Sequence, residues 1–374
     1  MLDRTSSSLS SISHLQIYGT LNSKYILYHQ IGKGLSSKVY LAKSTSQKES
    51  SPTNKNNLYA IKICKRSYNS KLFYEESLIM RKFTDHSHII KYYETGKAQL
   101  TKKKSSKTKT VHYHVLEYAE NDILFTYINI INSSSKGFGE RMGRIIFSHI
   151  LSAVEECHRN GIAHKDIKSE NIILTSDYKI KLIDFGFSVD INNTNANINR
   201  SKYSVYGTNG FFPPEVYICN DYKCIDPFQC DYFALGVTLF EIVCGFRPFN
   251  AAKRLDVNYK KIWRRNYDKY WNELPYKTNH LSGKFKEFIM KFLAMNPKER
   301  FTSIEEIRKD KWYVEGDLDG VGMNDKNNEM KWEFEYRKKK NHEYKMEMFN
   351  NNVKDAFGSC ERKNSSNGSG GYGQ

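Results

Sequence analysis

Apolar residues in the first third of the chain form short runs that are rich in aromatic and β-branched side chains. Runs of this kind, bounded by glycine or by polar residues, predict β-strands. They cover residues 25–31, 39–42, 58–63, 89–93 and 112–118, and one stretch of mixed apolar and charged character, residues 72–83, predicts a helix. This part of the chain therefore predicts a mostly antiparallel sheet with one helix.

The apolar period changes after Gly139, where apolar side chains recur at helical spacing up to Asn160. Further helices are predicted over residues 231–244, 285–293 and 303–310. Because strands come first and helices follow, the pattern favours two segregated lobes over alternating βαβ units. We predict an α+β fold with a small lobe over residues 22–118 and a larger, mainly helical lobe over residues 119–314.

The two ends of the chain differ from this body in composition. Residues 1–21 are rich in serine and aperiodic, which predicts a flexible leader. Residues 315–374 form a charged tail, in which residues 327–351 are predicted to be helical and residues 363–374, rich in glycine, serine and asparagine, to be disordered.

The predicted helix of the tail carries the aromatic residues Trp332, Phe334 and Tyr336 and the basic run 337–340. The aromatic residues alternate at spacing two, which fits one face of a helix poorly. We therefore favour a solvated helix over an autoinhibitory or calmodulin-binding one, and we do not expect calmodulin to bind.

Composition narrows the class of protein. The 374 residues are 39% hydrophobic, and the longest apolar stretch, residues 232–240, is far shorter than the roughly 20 residues of a membrane-spanning helix. The N-terminus has no apolar core of a secretory signal, and Leu2 excludes the myristoylation pattern. Seven cysteines form no C-x-x-C pair, so we expect reduced thiols in a cytoplasmic or nuclear protein.

The chain is basic, with a formal net charge of +17. Much of the excess lies in residues 102–109, predicted to be an exposed loop between two strands, and in residues 337–340. A basic chain can bind nucleic acid or an acidic membrane surface. Since no recognition motif accompanies these runs, we favour solvated charge and expect neither contact.

The segment of residues 164–171 contains an acid, a lysine and an amide, and a second acid, Asp184, follows Asn171 by thirteen residues. Asp166 can accept the proton of an attacking hydroxyl, and Lys168 can neutralise charge on a transferred phosphoryl group. Asn171 and Asp184 offer the oxygen ligands that magnesium prefers. This set suits an enzyme that transfers phosphoryl groups.

The order H-K-D-x-K-x-x-N followed by D-F-G resembles the catalytic and metal-binding loops of eukaryotic protein kinases. The resemblance covers roughly residues 25–313 and implies the bilobal protein kinase fold, ATP and Mg²⁺ as cofactors, and protein substrates. Lys168 is typical of serine/threonine kinases. Residues 157–162 and 245–249 look like those of the calcium/calmodulin-dependent and AMP-activated kinase group.

The same resemblance implies a nucleotide site. Residues 32–39 look like the glycine-rich loop G-x-G-x-x-G-x-V, with Ser37 in place of the third glycine, and residues 59–62 look like V-A-I-K, with Tyr59 in place of valine. A glutamate on the small-lobe helix would pair with the lysine, and of Glu75 and Glu76 we choose Glu76. The implied nucleotide-binding residues are Ile31, Gly32, Gly34, Val39, Ala60, Lys62, Glu76, Glu117, Ala119 and Ile173, of which Glu117 and Ala119 would contact the adenine edge through backbone groups. Asp166 and Lys168 would be catalytic, and Asn171 and Asp184 would bind the metal.

Lys165 stands where most kinases carry an arginine. Arginine grips a phosphate through a bidentate fork, whereas lysine is a point charge. We therefore expect weaker dependence on phosphorylation of the loop 187–212 by an upstream kinase. The hydroxyl groups available there are those of Ser201, Tyr203, Ser204, Tyr206 and Thr208.

Other matched positions imply supporting contacts. Glu215 and Arg300 would form a buried ion pair, and Asp231 would hold the backbone of the catalytic loop. Glu170 and Glu241 match positions that face an upstream arginine of the substrate in basophilic kinases, so we expect a preference for basic substrates. A non-catalytic pseudokinase is the main alternative, although none of the catalytic groups is missing.

Overall fold

The computed structural model describes residues 15–45, 57–83, 85–103, 105, 108–129, 137–193, 207–219, 221, 224–274, 278–315, 325–343 and 346. Within these residues no helix is both long and apolar enough to cross a membrane. The predicted disordered segment 363–374 lies outside them, as do the hydroxyl-bearing residues 201–206 of the loop.

Six antiparallel strands form the small lobe, and they close into a barrel. In chain order they are β1 (Gly19–Leu21), β2 (Tyr25–Lys33), β3 (Ser37–Ser44), β4 (Leu58–Cys64), β5 (Tyr92–Lys102) and β6 (Thr108–Glu117). The order around the barrel is β1-β2-β3-β4-β6-β5. Leu27, Ile61 and Val115 are fully buried in its interior, because β-branched and aliphatic side chains alternate inward along each strand.

Strand β1 lies in the segment predicted to be a flexible leader. It pairs with β2 on one side and with β5 on the other, and Leu21 is 1% exposed. The leader prediction is therefore wrong for residues 15–21. A three-residue strand has too few positions for its apolar period to show in the sequence, and its partner β5 lies about eighty residues away along the chain.

The basic run 102–109 was predicted as a loop, but strand structure continues into both of its ends. β5 extends to Lys102 and β6 begins at Thr108, in one long hairpin. β5 also begins later than predicted, because Ile89 forms an isolated bridge with Leu182 of the large lobe instead. The predicted small-lobe helix is α1 (Ser70–Met80). Asn69 caps its N-terminus, because the Asn69 side chain accepts a hydrogen bond from Lys71 N.

Helices dominate the large lobe. They are α2 (Leu124–Asn129), α3 (Gly139–Arg159), α4 (Glu215–Ile218), α5 (Pro227–Cys244), α6 (Tyr259–Trp263), α7 (Tyr267–Glu273), α8 (Gly283–Leu293), α9 (Ile304–Lys309) and α10 (Lys311–Glu315). Residues 325–343 form a further helix, α11. Two short antiparallel pairs complete the lobe: β7 (Ile162–Ala163) with β10 (Val189–Asp190), and β8 (Ile172–Leu174) with β9 (Ile180–Leu182).

Helix α5 forms the centre of the large lobe and is buried on nearly every side. The Asp226 side chain accepts a hydrogen bond from Phe228 N at its start, and Pro227 occupies the first turn, where a missing N–H costs nothing. Gly236 lets α8 approach closely, since a Cβ there would lie 2.2 Å from Phe292 Cβ. Helix α5 also carries Asp231, which accepts hydrogen bonds from the backbone of residues 164 and 165.

Helix α11 packs against the large lobe, so the solvated-helix prediction is wrong for one of its faces. Phe334 is fully buried, whereas Trp332 and Tyr336 stack on each other on the outer face, with ring centroids 5.6 Å apart. The spacing of two residues was misleading because Phe334 lies on the inner face of the helix, whereas Trp332 and Tyr336 lie on the outer face. Residues four apart share a face, and residues two apart do not.

Candidate active site

Lys62 lies at the centre of a charged cluster between the two lobes. Pairing of β4 with β3 and β6 holds it in the middle of the sheet. Its Nζ lies 2.6 Å from Glu76 Oε1 on α1 and 2.7 Å from Asp184 Oδ1 on the large lobe. The structure thus contains the ion pair predicted with Glu76, and Glu75 occupies a different, half-buried position on α1.

The surroundings keep the lysine protonated and the aspartate ionised. Burial by itself would lower the pKa of Lys62, but Asp184 and Glu76 outweigh it and raise that pKa. Desolvation also opposes ionisation of Asp184, yet Lys62 holds the pKa of this carboxyl below its ordinary value. The Asp184 side chain remains 46% exposed, so a ligand in the cleft can reach it.

A neutral imidazole borders this cluster. His114 Nε2 lies 3.8 Å from Glu76 Oε2, and its ring stacks on Phe73 of α1 at a centroid distance of 3.8 Å. Burial and the nearby Lys62 charge lower the pKa of His114 to about 3. The ring therefore packs α1 onto the sheet without competing with Lys62 for Glu76.

Asp166 is held by three hydrogen-bond donors. Lys168 Nζ and Asn171 Nδ2 lie 2.7 Å and 2.8 Å from its Oδ2, and the Thr208 hydroxyl donates to its Oδ1 at 2.7 Å. The residue is only 4% exposed. Contacts on both oxygens fix the orientation of the carboxylate, which a proton acceptor requires.

Thr208 reaches Asp166 because the residue before it is a glycine. Gly207 has φ of +141°, and a Cβ there would lie 2.7 Å from the Lys165 carbonyl oxygen. Thr208 also accepts a hydrogen bond from Lys168 Nζ. The sequence places Thr208 among the hydroxyls open to phosphorylation, whereas the structure engages it with the catalytic loop; the motif Gly207-Thr208 was the signal that could have indicated this.

Asp231 of α5 holds the backbone of the catalytic loop, as predicted. Its two carboxylate oxygens accept hydrogen bonds of 2.7 Å from the N–H groups of His164 and Lys165, and its Oδ2 also lies 2.9 Å from His158 Nε2. Lys165 has φ of +64°, an uncommon conformation for a residue with a long side chain. The two hydrogen bonds that Asp231 accepts hold the chain in this conformation.

The β8–β9 hairpin brings the two predicted metal ligands to the same end. Ile172 pairs with Leu182, and Ile183 N donates to Asn171 O at 2.9 Å, so Asn171 and Asp184 are neighbours across the hairpin. Asn171 Nδ2 donates to both the carbonyl and the carboxylate of Asp166. Its Oδ1 is then the atom that can face a cation, and an amide oxygen beside a carboxylate fits Mg²⁺.

The predicted nucleotide-binding residues come from two sides, the sheet of the small lobe and strand β8 of the large lobe. Strand register sets Val39 between Gly32 and Lys62, and sets Ala60 opposite Leu116. Ile31 and Gly34 belong to the same β2–β3 hairpin, and on the other side Ile173 of β8 bridges Ile123. Ala119, which follows β6, is 4% exposed.

The Glu117 side chain contacts Lys181 and the backbone of Lys91, so the nucleotide contact predicted for this residue is left to its backbone groups. Its carboxylate lies 2.9 Å from Lys181 Nζ and accepts a hydrogen bond from Lys91 N. Its backbone N–H donates to Lys91 O at 2.9 Å. Glu117 therefore fastens the connection between the lobes to the strands behind it, a role that the sequence did not suggest.

Lys65 is a second residue that the sequence did not single out. Its Nζ donates to the carbonyl oxygens of Gly34 and Leu35, and its N–H donates to Ser36 O at 2.8 Å. Three successive carbonyls of the glycine-rich loop are thus held from the end of β4. Ser37, in place of the third glycine, is buried.

The predicted pair of Glu215 and Arg300 is present and bidentate. Arg300 Nη1 and Nη2 lie 2.7 Å and 2.6 Å from the two oxygens of Glu215, and both residues are buried. Arg300 Nε also donates to Ala294 O at 2.9 Å. The pair joins α4 to the turn before α9.

Glu170 and Glu241 differ in their access to solvent. Glu170 is half-buried, whereas Glu241 is 4% exposed and accepts a hydrogen bond from the Ser169 hydroxyl. Burial raises the pKa of Glu241 to about 7. The expected contact of Glu241 with a basic substrate therefore does not fit its position, since its carboxylate is satisfied inside the lobe.

Comparison with known proteins agrees with this geometry. Residues 25–313 match the family described as the protein kinase domain. The chain is 27% identical over 296 residues to "Probable serine/threonine-protein kinase 2" of Plasmodium falciparum, covering 78% of this chain and 50% of that protein. It is 28% identical over 305 residues to "CBL-interacting protein kinase 26" of rice, Oryza sativa subsp. japonica, covering 78% and 52%. The chain thus spans about half the length of these curated relatives.

Proposed function

The chain belongs to the protein kinase domain family, and from that membership we propose that it is a serine/threonine kinase, which transfers the γ-phosphoryl group of ATP to protein hydroxyl groups. One observation carries the proposal: Lys62 Nζ contacts Glu76 of the small lobe and Asp184 of the large lobe at once. Phosphoryl transfer depends on positioning and electrostatics, and this contact aligns the charges of the two lobes across the cleft.

Asp166 is the group that would accept the proton of the substrate hydroxyl. Its carboxylate is fixed by Lys168, Asn171 and Thr208, so an incoming hydroxyl meets a defined acceptor. Lys168 adds a positive charge beside the point of transfer. Bound Mg²⁺ would neutralise charge on the phosphate oxygens, with Asn171 Oδ1 and Asp184 as its protein ligands.

The remaining residues would bind the nucleotide itself. Lys62 would hold the α- and β-phosphates, because its raised pKa keeps it cationic in a buried position. Backbone N–H groups near Gly32 and Gly34 would approach the phosphates closely. The adenine base of the nucleotide would lie between Val39 and Ala60 on one side and Ile173 on the other.

We also propose a moderate preference for basic protein substrates. Of the two acids expected to contact a substrate arginine, Glu170 is accessible and Glu241 is not. We also propose that an upstream kinase can act on the loop 187–212, although the Thr208 hydroxyl is already engaged by Asp166 and Lys168.

The rival function is that of a non-catalytic pseudokinase. Phosphate transfer from radiolabelled ATP to a serine/threonine peptide library separates the two, with Asp184→Asn compared with wild type. Asp177→Asn is the matched control, because it makes the same change at the other end of the β8–β9 hairpin, where the Asp177 side chain is 54% exposed. We expect Asp184→Asn to lower transfer at least about 100-fold, the scale of a lost electrostatic contact to the transition state. Wild-type protein without transfer would favour the pseudokinase.

A further inference from the structure

Helix α11 lies beyond the residues that match the kinase family, which end at 313. Its inner face consists of Met330, Phe334 and Arg337, which are 3%, 0% and 3% exposed. Their spacing of four and three residues follows one stripe of a helix. A helix this deeply engaged is part of the folded large lobe and not an appended tail.

Phe334 joins three elements of the large lobe. Its ring contacts Tyr127 of α2 and Phe138 before α3, at centroid distances of 5.1 Å and 5.4 Å. It also lies parallel to Tyr178 at 6.0 Å. Tyr178 belongs to the turn between β8 and β9, so Phe334 supports the closed end of that hairpin.

Arg337 links the end of α2 to the start of α3. Its Nη1 donates to Tyr127 O at 3.2 Å and its Nη2 to Gly137 O at 2.8 Å, while its guanidinium lies 3.8 Å from the centroid of Phe138. Carbonyls in the last turn of a helix have no partner within the helix. Arg337 therefore satisfies a carbonyl of α2 from outside, and Glu333, at 2.6 Å, balances its charge.

Lys338 contacts Asn121, which lies between β6 and α2, just after the connection between the lobes. Its Nζ donates to Asn121 Oδ1 at 2.8 Å, and Asn121 Nδ2 donates to Thr175 O at 2.6 Å. Asn121 N also donates to Leu174 O of β8 at 3.1 Å. The lysine thus orients an amide that fastens residue 121 to the end of β8.

The elements that α11 touches carry the nucleotide and metal site at their other ends. β8 begins after Asn171 and contains Ile173, and β9 leads to Asp184. The segment after Asn121 contains Ile123, which bridges Ile173. A support for the closed end of the β8–β9 hairpin therefore also sets the position of its open end.

We propose that α11 is a positioning element for nucleotide and metal binding, acting through Phe334, Arg337 and Lys338. This inference rests on the proposed kinase function, since it assigns α11 a part in binding the nucleotide of that reaction. None of the three side chains touches the reacting groups. They hold the hairpin and the inter-lobe connection in the geometry that the cleft requires.

Lys338 gives the sharpest test because it is half-buried and makes one defined side-chain contact, so its variants should fold. Full-length Lys338→Met, Lys338→Arg and Asn121→Ala would be compared with wild type, and Lys339→Met is the control on the exposed face. Binding of a non-hydrolysable ATP analogue with Mg²⁺ would be measured by calorimetry. KM for ATP and kcat would be measured on a peptide substrate.

We expect Lys338→Met to weaken nucleotide binding and raise KM for ATP about three- to ten-fold, the scale of one lost hydrogen bond of about 1 kcal/mol net. kcat should stay within about two-fold, because the groups at the reacting phosphate are untouched. Lys338→Arg should retain binding. Asn121→Ala, which also loses the hydrogen bond to Thr175 O, should match or exceed the effect of Lys338→Met. Adding Lys338→Met to Asn121→Ala should cause no further loss, because the lysine would then have no partner to lose.

Nucleotide binding by Lys338→Met equal to that of Lys339→Met would overturn the inference. Equal losses of nucleotide binding in Lys338→Met and Lys339→Met, relative to wild type, would also overturn it, because they would indicate a general effect of removing a positive charge. The binding measurement separates this proposal from the proposed function. A wild-type protein that binds nucleotide but transfers no phosphate would refute kinase activity, while a loss of binding in Lys338→Met would still support the role of α11.

Discussion

The hydroxyl of Thr208 donates a hydrogen bond of 2.7 Å to Oδ1 of Asp166. This contact joins the end of the loop 187–212 directly to the group that would accept the substrate proton. The same hydroxyl accepts from Lys168 Nζ, so the acid, the lysine and the threonine form one unit. The position of the loop and the orientation of the proton acceptor are therefore coupled.

Replacing Thr208 by alanine should lower kcat/KM for a peptide by about ten-fold or more, because a hydrogen bond to an ionised group contributes about 1.5–3 kcal/mol. Thr208→Ser keeps the hydroxyl and should retain most of the activity. Steady-state kinetics on a serine peptide checks both. Equal activity of the alanine and serine variants would show that the contact is not used in the reaction.

Replacing Arg300 by alanine should reduce stability more than it reduces the activity of the folded protein. It would leave the buried Glu215 carboxylate without its cation, which typically costs about 3–5 kcal/mol. Calorimetric melting should show the loss. Arg265→Ala is the control, because its pair with Glu299 is exposed and should contribute about 0–1 kcal/mol. Similar melting temperatures for the two variants would contradict the prediction.

Glu241 should make stability fall as pH rises from about 5 to about 7. Burial raises the pKa of Glu241 to about 7 in the folded protein, above about 4.5 in an exposed chain. The unfolded chain therefore ionises first as pH rises, and the folded state loses up to about 3 kcal/mol relative to it. Glu241→Gln removes this loss, so its melting temperature should approach or match that of wild type at pH 5 and exceed it at pH 8. Curves that stay parallel across this range would refute the assignment.

Glu170 should be the residue responsible for the proposed preference for basic substrates. Glu170→Gln should reduce selection for arginine or lysine near the acceptor in a peptide array, whereas Glu241→Gln should change it little, because Glu241 is enclosed and bound by Ser169. An exposed ion pair contributes about 1 kcal/mol or less, so a shift of up to about five-fold is expected. A wild-type profile without basic enrichment would rule out the preference.

Phosphatase treatment should leave a substantial part of the activity of the wild-type protein. The Lys165 side chain is poorly suited to binding a phosphate group on the loop. It offers only a point charge, and burial lowers the pKa of its ammonium group. Peptide phosphorylation before and after treatment, with removal of loop phosphate verified by mass spectrometry, measures the dependence. Loss of activity to background would mean that another residue binds the loop phosphate.

The contacts that could be predicted from the sequence were those between residues in short, recognisable motifs. The pairing of Lys62 with Glu76, and of Arg300 with Glu215, followed from the resemblance of short motifs to those of protein kinases. The burial of Glu241 could not be read in the same way, because it depends on Ser169 lying 72 residues away in the chain.

Contacts between elements that lie far apart in the chain could not be predicted either. Strand β1 is defined by its pairing with β5, and the inner face of α11 by its contacts with α2 and the β8–β9 turn. In both cases the local pattern was weak or misleading, and tertiary contacts decide the structure. The alternation of Trp332 and Phe334 misled because each residue faces a different environment.

The closure of the small lobe has a practical consequence for anyone who shortens this protein. A chain trimmed to begin at residue 25, where the match to the kinase family starts, would lack β1. Removing it would leave the outer backbone groups of β2 and β5 unpaired, and unpaired strand edges recruit other chains. Such a fragment should tend to self-associate, and preparations meant to remain monomeric should retain the residues from 15 onward.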